Sequence, residues 1–239
     1  NLFIVSNFLN KKKLKVEILT CNNDKAKNFD NEIKFIGKKN NFWHGRHRKI
    51  KYAVCLFILF FKLLIAKKKP LIFSFQANIY AIIISKILNT KVITRSNSSP
   101  EGWSKNFLKR ILYKFIINFA DDIMVNSIQF KNEFYKRFNI KVKCIYNPFK
   151  QEYILKKSKI KNSKFQFNKN FLNIVSIGRL TKQKDHLTLL KSANLINPKL
   201  KPRIIIVGKG SEKEFLNNNI NKKNLKNIVK LVGYQSNPY

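Results

Sequence analysis

Short runs of β-branched and aromatic residues alternate with longer segments of helical periodicity along most of the chain. In the first part, these runs predict strands at Val16–Thr20, Ile33–Ile36, Leu71–Phe75, Lys91–Thr94, Asp122–Val125 and Lys143–Ile145. The periodic segments predict helices at Leu2–Asn10, Arg48–Ala66, Ile79–Leu88, Lys105–Ala120 and Ser127–Phe138. This alternation is typical of α/β proteins, in which helices cover a mainly parallel sheet on both faces.

A second series of the same kind follows a polar, lysine-rich stretch without strong periodicity. Its predicted strands are Phe171–Ile177, Arg203–Val207 and Ile228–Val232, and its predicted helices are Asp185–Ile196 and Ser211–Asn219. Ser211 and Glu214 have the spacing of a capping box, which predicts that the last helix begins directly after Gly210.

The two series indicate two Rossmann-like units. Asn147-Pro148 is a turn signal that ends the first unit at residue 148, residues 149–170 suit a linker, and residues 171–239 form the second unit. A length of 239 residues has room for two modest domains. The chain begins at Asn1 rather than at methionine, and Leu2–Asn10 suits the remainder of a helix, so we expect the first strand of the first unit to be missing.

The chain is strongly basic, with 49 lysines and arginines, 12 aspartates and glutamates, and a net charge of +37. Its hydrophobic share of 44% is enough for a core, which excludes disorder as the main state. Codon usage in an AT-rich genome explains part of the lysine excess. A field this positive also attracts anionic lipid head groups, nucleic acid or phosphorylated substrates, and charge alone does not choose among them.

Tyr52–Ala66 is the most hydrophobic stretch, but it contains Lys62 and is shorter than the roughly twenty apolar residues that a spanning helix needs. Its flanks, His47–Lys51 and Lys67–Lys69, are basic. The segment therefore fits either a helix buried against the sheet or an interfacial helix lying on anionic lipid.

The cysteines Cys21, Cys55 and Cys144 are odd in number, far apart and without a CxxC pair. This pattern predicts neither a disulfide framework nor a structural zinc site and indicates the cytosol. No signal-peptide pattern opens the chain. We expect a cytoplasmic protein, with a peripheral position on the inner face of the plasma membrane as a further option.

The segment from Ser176 to His186 carries the clearest chemical signal. A predicted buried strand ends at Gly178, and a helix begins about seven residues later. In an open α/β sheet, ligands bind at the carboxyl ends of the strands. Arg179 offers a planar fork for phosphate oxygens, and Lys184 supplies a second charge beside a helix N-terminus. The pair fits a diphosphate clamp, and the alternative is two solvated cations among many.

Two further predicted strands also end in glycine. Gly208 and Gly210 follow the second strand, and Gly233 with Tyr234 follows the third. A single glycine turn is weak evidence, because such turns are common after strands. Three successive glycine ends are the pattern expected where one edge of a sheet admits a nucleotide closely.

In this order, these motifs resemble the retaining nucleotide-sugar glycosyltransferases of family 4, which have the GT-B fold of two Rossmann-like domains facing a cleft. The segments that carry the resemblance are Gly178-Arg179-Leu180, Gln183-Lys184, Val207-Gly208-Lys209-Gly210, Val232-Gly233, Asn237-Pro238-Tyr239, Ala120-Asp121-Asp122, Asn126-Ser127 and Ile145-Tyr146-Asn147-Pro148. The likeness runs over nearly the whole chain.

The resemblance implies that Arg179 and Lys184 hold the donor diphosphate and stabilise negative charge on the leaving group without a metal or another cofactor. It further implies that the glycines line the donor site, with Gly233 and Tyr234 near the base. Asp185 stands where the family often has glycine and suits a helix N-cap. We interpret His186 as a helix-start residue.

The resemblance assigns the acceptor to the first unit. Two predicted loops follow strands there, and their polar groups are expected to point into the cleft. The candidate residues are Ser74, Gln76, Asn78, Arg95 and Asn97. Many relatives have a histidine near the first loop, where this chain has Gln76 or Asn78. For Asn97, ordinary turn chemistry is an equal alternative.

The activity implied is transfer of a sugar, with retention, from a nucleotide-sugar donor to a glycan or lipid-linked acceptor in surface polysaccharide or lipopolysaccharide biosynthesis. The family's acidic pair that contacts the donor sugar lies beyond the point that corresponds to Tyr239, so the resemblance implies that the second unit is incomplete and that this fragment is inactive alone. A basic protein that binds nucleic acid or anionic membrane is the alternative from another class, although no nucleic-acid recognition motif is present. Within enzymes, a GT-B epimerase or phosphorylase is a further alternative.

Overall fold

A computed structural model describes residues 2–21, 28–37, 47–100, 106–160, 167 and 169–239. The chain divides into two compact units, Asn1–Phe149 and Lys150–Tyr239. The first unit thus ends one residue beyond the turn signal at Pro148.

The first unit alternates helices and short strands. Its helices are α1 (Leu2–Lys11), α2 (Arg48–Leu64), α3 (Asn78–Ile87), α4 (Phe107–Ile117) and α5 (Ile128–Phe138). Its strands are β1 (Glu17–Leu19), β2 (Lys34–Ile36), β3 (Ile72–Ser74), β4 (Val92–Ser96), β5 (Asp122–Val125) and β6 (Lys143–Cys144). Strands β1 and β2 pair in parallel, and β3, β4, β5 and β6 form a parallel sheet in chain order. Right-handed crossovers, the rule for parallel strands, place α3, α4 and α5 on one face of that sheet.

The core of the first unit lies between this sheet and its helices. Alternate strand residues point inward, as Val92 in β4 and Val125 in β5 show, and the aromatic rings of Phe134 and Phe138 fill the space from α5. The sequence pattern therefore located the strands of this unit to within a few residues.

The second unit contains a three-stranded parallel sheet in the order β7, β8, β9. Its strands are β7 (Leu172–Ile177), β8 (Pro202–Val207) and β9 (Val229–Gly233), and its helices are α6 (Gln151–Ser158), α7 (His186–Ala193) and α8 (Lys213–Lys222). The core includes Ile204 and Ile206 from the central strand and Leu190 and Leu216 from the two helices that follow strands.

Several predicted boundaries differ from the structure. Part of the predicted linker over 149–170 is helix α6, while residues 161–166 and 168 lie outside the described residues. The predicted capping box is wrong, because α8 begins at Lys213 with Glu212 as its N-cap and no side-chain cap hydrogen bond. Helix α4 begins after Asn106, whose side chain accepts a hydrogen bond from the Leu108 N–H, and Lys105 lies outside the described residues.

Within the described ranges, every helix is too short or too polar to cross a membrane. Helix α2, which contains most of the hydrophobic stretch Tyr52–Ala66, buries Leu63 completely but leaves Phe57 65% exposed. Neither full burial against the sheet nor full exposure describes this helix.

Candidate functional site

The carboxyl ends of β7, β8 and β9 are joined by backbone hydrogen bonds. The Gly178 N–H donates to the Val207 carbonyl at 3.0 Å, and the Gly208 N–H donates to the Gly233 carbonyl at 2.9 Å. The Leu180 N–H donates to the Lys209 carbonyl at 3.1 Å. The three turns that follow these strands therefore form one continuous edge, which we call the glycine edge (residues 178–180, 208–210 and 233–234).

Two glycines of this edge are required by the close approach of the turns to each other. A Cβ atom at Gly208 would lie 1.8 Å from the Gly178 carbonyl oxygen, and one at Gly210 would lie 2.1 Å from the Leu180 carbonyl oxygen. No side chain larger than hydrogen fits at these distances. Packing of one turn on the next is thus a sufficient reason for glycine at both positions, and their role in donor binding stays a prediction.

The space in front of Gly178 is more open. A Cβ atom there would meet Lys184 Cγ and Cδ at 3.8 Å and His186 Nε2 at 3.9 Å, which are ordinary contact distances. The aliphatic part of the Lys184 side chain consequently lies beside Gly178, the residue that precedes Arg179. Leu180 is only 1% exposed and anchors the turn, whereas Arg179 and Lys184 are exposed.

The segment between Leu180 and α7 is shaped by a 3₁₀ turn at Lys182–Lys184, in which the Lys184 N–H donates to the Thr181 carbonyl at 2.9 Å. Asp185 follows in the left-handed conformation, with φ of 46°. Its carboxylate accepts hydrogen bonds from the Thr188 N–H at 3.3 Å and the Thr188 hydroxyl at 2.8 Å, so the predicted N-cap role is confirmed. Glycine adopts the left-handed conformation without steric cost, which explains why the resembled family often has glycine at this position.

His186 is the first residue of α7, as predicted, and is 5% exposed. Its Nδ1 lies 3.4 Å from the Ser176 hydroxyl, and its Nε2 has no hydrogen-bond partner within the described part of the chain. Because Nε2 faces the space in front of Gly178, the imidazole forms part of the wall beside the Lys184 side chain. The sequence pointed to this histidine only as a helix-start residue.

Two further polar residues complete the glycine edge. Tyr234 is exposed, and the Lys209 ammonium lies 5.4 Å from the centre of its ring. A Cβ atom at Gly233 would have no neighbour within 4 Å, so the approach to this turn is unobstructed. Lys209 was not among the predicted site residues, although its position between two glycines was a signal that could have found it.

In the first unit, three of the five predicted acceptor-side residues are buried and bonded to one another. The Ser74 hydroxyl lies 2.8 Å from the Gln76 carbonyl oxygen and 2.9 Å from Asn78 Oδ1. The Asn78 side-chain amide donates to the Arg95 carbonyl at 3.1 Å. These contacts join the end of β3 to β4 and to the start of α3.

Arg95 differs from its predicted setting. It lies within β4 rather than after it and is 2% exposed. Its guanidinium donates to the Ile145 carbonyl at 2.9 Å and to Asn147 Oδ1 at 3.0 Å, and burial lowers its pKa from the ordinary value. The prediction that this side chain follows a strand is therefore wrong, because β4 continues through Ser96 and the Ile145 carbonyl and Asn147 side chain take up the donors of Arg95.

The other two predicted acceptor-side residues, Gln76 and Asn97, are exposed. The Tyr52 hydroxyl donates to Gln76 Oε1 at 3.0 Å, and Arg95 Nε donates to Asn97 Oδ1 at 3.4 Å. Of the five candidates, these two offer side-chain atoms to a ligand without disturbing buried bonds.

In the described ranges, no group of three or more His, Cys, Asp or Glu side chains is placed to hold a metal ion. The expectation of metal-free chemistry stays a prediction.

Comparisons with known proteins agree in pointing to one family. Residues 157–239 match the family model described as Glycosyl transferases group 1. An uncharacterized glycosyltransferase of Methanocaldococcus jannaschii is 31% identical over 177 residues, which are 66% of this chain and 42% of that protein. The N-acetylgalactosamine-N,N'-diacetylbacillosaminyl-diphospho-undecaprenol 4-alpha-N-acetylgalactosaminyltransferase of Campylobacter jejuni is 28% identical over 170 residues, which are 67% of this chain and 45% of that protein.

Among solved structures, Anabaena HepE in complex with UDP is similar to this chain with a TM-score of 0.58 and 18% identity, covering 87% of this chain and 57% of that one. By the coverage given above, the matched part of the chain spans less than half the length of the Methanocaldococcus jannaschii and Campylobacter jejuni proteins. The structural match confirms the predicted α/β fold of the GT-B type.

Proposed function

We propose that this chain, whose resemblance to the group 1 glycosyltransferases is confirmed by the matches above, is part of an enzyme that transfers a sugar from a nucleotide-sugar donor. The second unit would bind the donor diphosphate at the glycine edge. One observation carries this proposal: backbone contacts that only glycine permits hold the turns at 178–180 and 208–210 together, with the exposed Arg179 in the first turn and the Lys184 side chain beside Gly178.

The proposed chemistry follows from the charges at this edge. As the bond from the sugar to the diphosphate breaks, negative charge develops on the leaving phosphate oxygens. Arg179 can meet two oxygens with its planar fork, and Lys184 can follow the charge with a flexible ammonium. Because the turn places both residues beside Gly178 before the reaction, their charges would already be near the leaving group as its charge develops. In this proposal they take the place that a divalent metal has in other phosphate chemistry.

The relatives support the substrate classes. HepE has been solved in complex with UDP and with UDP-glucose. The name of the Campylobacter jejuni enzyme specifies a diphospho-undecaprenol acceptor. For this chain we propose a nucleotide-sugar donor, retention of configuration, and a glycan or lipid-linked acceptor in surface polysaccharide or lipopolysaccharide biosynthesis. Gln76 and Asn97 are the first-unit residues that we propose for acceptor contact, and a position at the cytoplasmic face of the membrane belongs to the same proposal.

Calorimetric titration of the purified chain with UDP tests the donor site directly. We expect Arg179→Ala and Lys184→Ala each to weaken UDP binding about tenfold or more, the effect of losing a charge-assisted hydrogen bond. Lys182→Ala is the matched control, because Lys182 is an exposed cation of the same 3₁₀ turn and is not beside Gly178. The proposal is wrong if all three variants bind UDP as the parent chain does.

A further inference from the structure

Two cysteines that are far apart in the sequence lie side by side in the first unit. Cys21 and Cys55 are separated by 34 positions along the chain, and their sulfur atoms are 3.4 Å apart. The Cys21 thiol also donates a hydrogen bond to the Lys51 carbonyl, with 3.6 Å between sulfur and oxygen. Cys21 is therefore held against one turn of helix α2, between residues 51 and 55.

The backbone next to Cys21 is anchored by the pairing of β1 with β2. The Thr20 N–H donates to the Ile36 carbonyl at 3.1 Å. A Cβ atom at Gly37 would lie 2.3 Å from the Thr20 carbonyl oxygen, so the two segments approach each other as closely as only glycine allows. Cys21 follows directly after this contact and is 8% exposed. The strand pair therefore determines where the Cys21 side chain begins.

A second contact between β1 and α2 sets the same alignment. The Lys62 ammonium forms an ion pair with the Glu17 carboxylate. Cys55 and Lys62 are seven positions apart, which places both on one face of the helix about 10 Å from each other. Glu17 and Cys21 are four positions apart, which spans about 13 Å of extended chain. The two contacts therefore fit one arrangement, in which β1 and α2 run in opposite directions and Cys55 faces the end of β1.

All three cysteines of the chain are free thiols. Burial, and then the hydrogen bond with the Cys21 thiol, raises the pKa of Cys55 to about 12. Cys55 therefore stays protonated at neutral pH, which slows its reaction with reagents from solution. Its contact with Cys21 offsets this effect for a reaction between the two sulfurs, because reacting groups that are already adjacent need no encounter.

We infer that Cys21 and Cys55 form a reversible disulfide switch, which fastens the end of β1 to helix α2 when the chain meets hydrogen peroxide. In the first step, the Cys21 sulfur attacks one peroxide oxygen and the O–O bond breaks, which gives a sulfenic acid at Cys21 and one water. In the second step, the Cys55 sulfur attacks the Cys21 sulfur, and the hydroxyl group leaves with the Cys55 proton as a second water. Two thiols are thus oxidised to one disulfide while one peroxide is reduced to two waters.

The geometry requires only a small movement for this bond. A disulfide has a sulfur–sulfur distance of about 2.0 Å, so each sulfur must move by roughly 0.7 Å from its present position. The bond would close a loop from residue 21 to residue 55 that includes β2, and such a closure stabilises a protein by restricting its unfolded chain. A dithiol reductant reverses the change by thiol–disulfide exchange. In a reducing compartment the thiols are the resting state, and disulfides that form there are mostly transient or redox-sensing.

Thiol counting and peptide mapping of the full chain test this inference. The reduced chain has three cysteines, and we expect equimolar hydrogen peroxide to leave one free thiol. The mass of the chain should fall by about 2 Da, the two hydrogen atoms lost from the thiols. Digestion without reductant should give the peptides of Cys21 and Cys55 as one linked product. Dithiothreitol should then restore all three thiols.

Two variants separate the pair from the third cysteine. Cys55→Ser removes the second thiol of the switch, and Cys144→Ser is the matched control, because Cys55 and Cys144 are both partly buried. Oxidation should raise the Tm of the first unit by about 5 °C or more in the parent and in Cys144→Ser. Oxidised Cys55→Ser should show no such rise and should retain a sulfenic acid at Cys21 that dimedone traps. Circular dichroism of the reduced variants checks their folding, and the peptide map of the parent needs no variant.

Several outcomes would overturn the inference. These are peroxide treatment that leaves Cys21 and Cys55 as thiols, links Cys144 instead, or produces disulfides only between chains. An equal rise in Tm for oxidised Cys55→Ser and the oxidised parent would also contradict it. The switch goes beyond the proposed function and does not rest on it. A chain that forms the Cys21–Cys55 disulfide but fails to bind UDP would therefore support the switch and contradict only the donor site.

Discussion

The two units close the carboxyl ends of their parallel strands in opposite ways. In the first unit, the ends of β3 and β4 are joined by side-chain hydrogen bonds among Ser74, Asn78 and Arg95, all of them buried. In the second unit, the ends of β7 and β8 are joined by backbone contacts at Gly178 and Gly208, and the charged side chains stay outside. Polar side chains that already form hydrogen bonds within the protein are not available to a ligand. The second unit therefore has the more open binding edge.

The two arginines show the same difference. Arg95 gives its guanidinium donors to the Ile145 carbonyl and to Asn147, whereas Arg179 is exposed on a turn whose neighbour Leu180 is buried. Arg95 is the penultimate residue of β4 and Arg179 follows β7, so both lie near the carboxyl end of a parallel strand, the place where α/β proteins bind ligands. A cation at a strand end is therefore a binding candidate only when no carbonyl or amide of the chain already takes its donors.

The largest effect is expected from breaking the backbone contact of the second unit. In Gly208→Ala the added methyl group would lie 1.8 Å from the Gly178 carbonyl oxygen, so the two turns must separate. We expect the free energy of unfolding to fall by about 3 kcal/mol, the upper range for a forced backbone shift. Urea unfolding of the chain, monitored by circular dichroism, measures this loss of stability in the second unit.

Gly178→Ala is the matched control for that substitution. Its methyl group would meet atoms no closer than 3.8 Å, so we expect a change within about 0.5 kcal/mol. Equal losses in the two variants would show that the turns are not held by the close approach of their backbones.

The arrangement of strands and helices was predictable because each unit repeats one simple pattern. Ile123 and Val125 follow the period of two of a half-buried strand, and the glycine ends of β7 and β8 were located from the residues alone. The predicted clamp residues Arg179 and Lys184 lie at the glycine edge, and whether they bind the donor stays a prediction.

The remaining features depend on contacts between distant segments. The guanidinium of Arg95 donates to the carbonyl of Ile145, fifty residues away along the chain, and no local pattern reveals such a contact. The capping box failed because the Glu212 N–H donates to the Leu180 carbonyl at 3.0 Å, in the neighbouring turn, so the helix begins later. Helix α6 is short and polar, with no buried residue, and such a segment carries little periodic signal.

The arginine comparison can be tested by the same substitution in both units. Arg95→Met removes the hydrogen bonds that the buried guanidinium donates to the Ile145 carbonyl and Asn147 Oδ1, so we expect a loss of about 2 kcal/mol of stability. Arg179→Met should leave stability within about 0.5 kcal/mol of the parent, because the side chain is exposed.

The same two substitutions should affect UDP binding in the opposite order to their effects on stability. We expect it to weaken in Arg179→Met and to be unchanged in Arg95→Met under conditions where that variant is folded. Urea unfolding and UDP titration of the two variants give both readings. If Arg95→Met is as stable as the parent, its hydrogen bonds do not hold the strand ends together, and the contrast between the units fails.

The smallest effect is a pH dependence of the first unit. Asp121 accepts hydrogen bonds from the Lys86 ammonium at 2.9 Å and from the Val92 N–H at 2.7 Å, and the ammonium and then the N–H hold the pKa of this carboxyl below its ordinary value. A depressed folded-state pKa contributes stability that is present above the unfolded value of about 4 and is lost as the pH falls through the folded value. The side chains of both partners are 35% exposed, so solvent screening limits the contribution to about 0.5 kcal/mol.

Asp121→Asn and Lys86→Met should therefore each lower the stability of the first unit at neutral pH and lose that difference in acid, as measured by urea unfolding at both pH values. A difference from the parent that is the same at neutral and acid pH would mean that the charge of Asp121 does not act through its partners in the folded state.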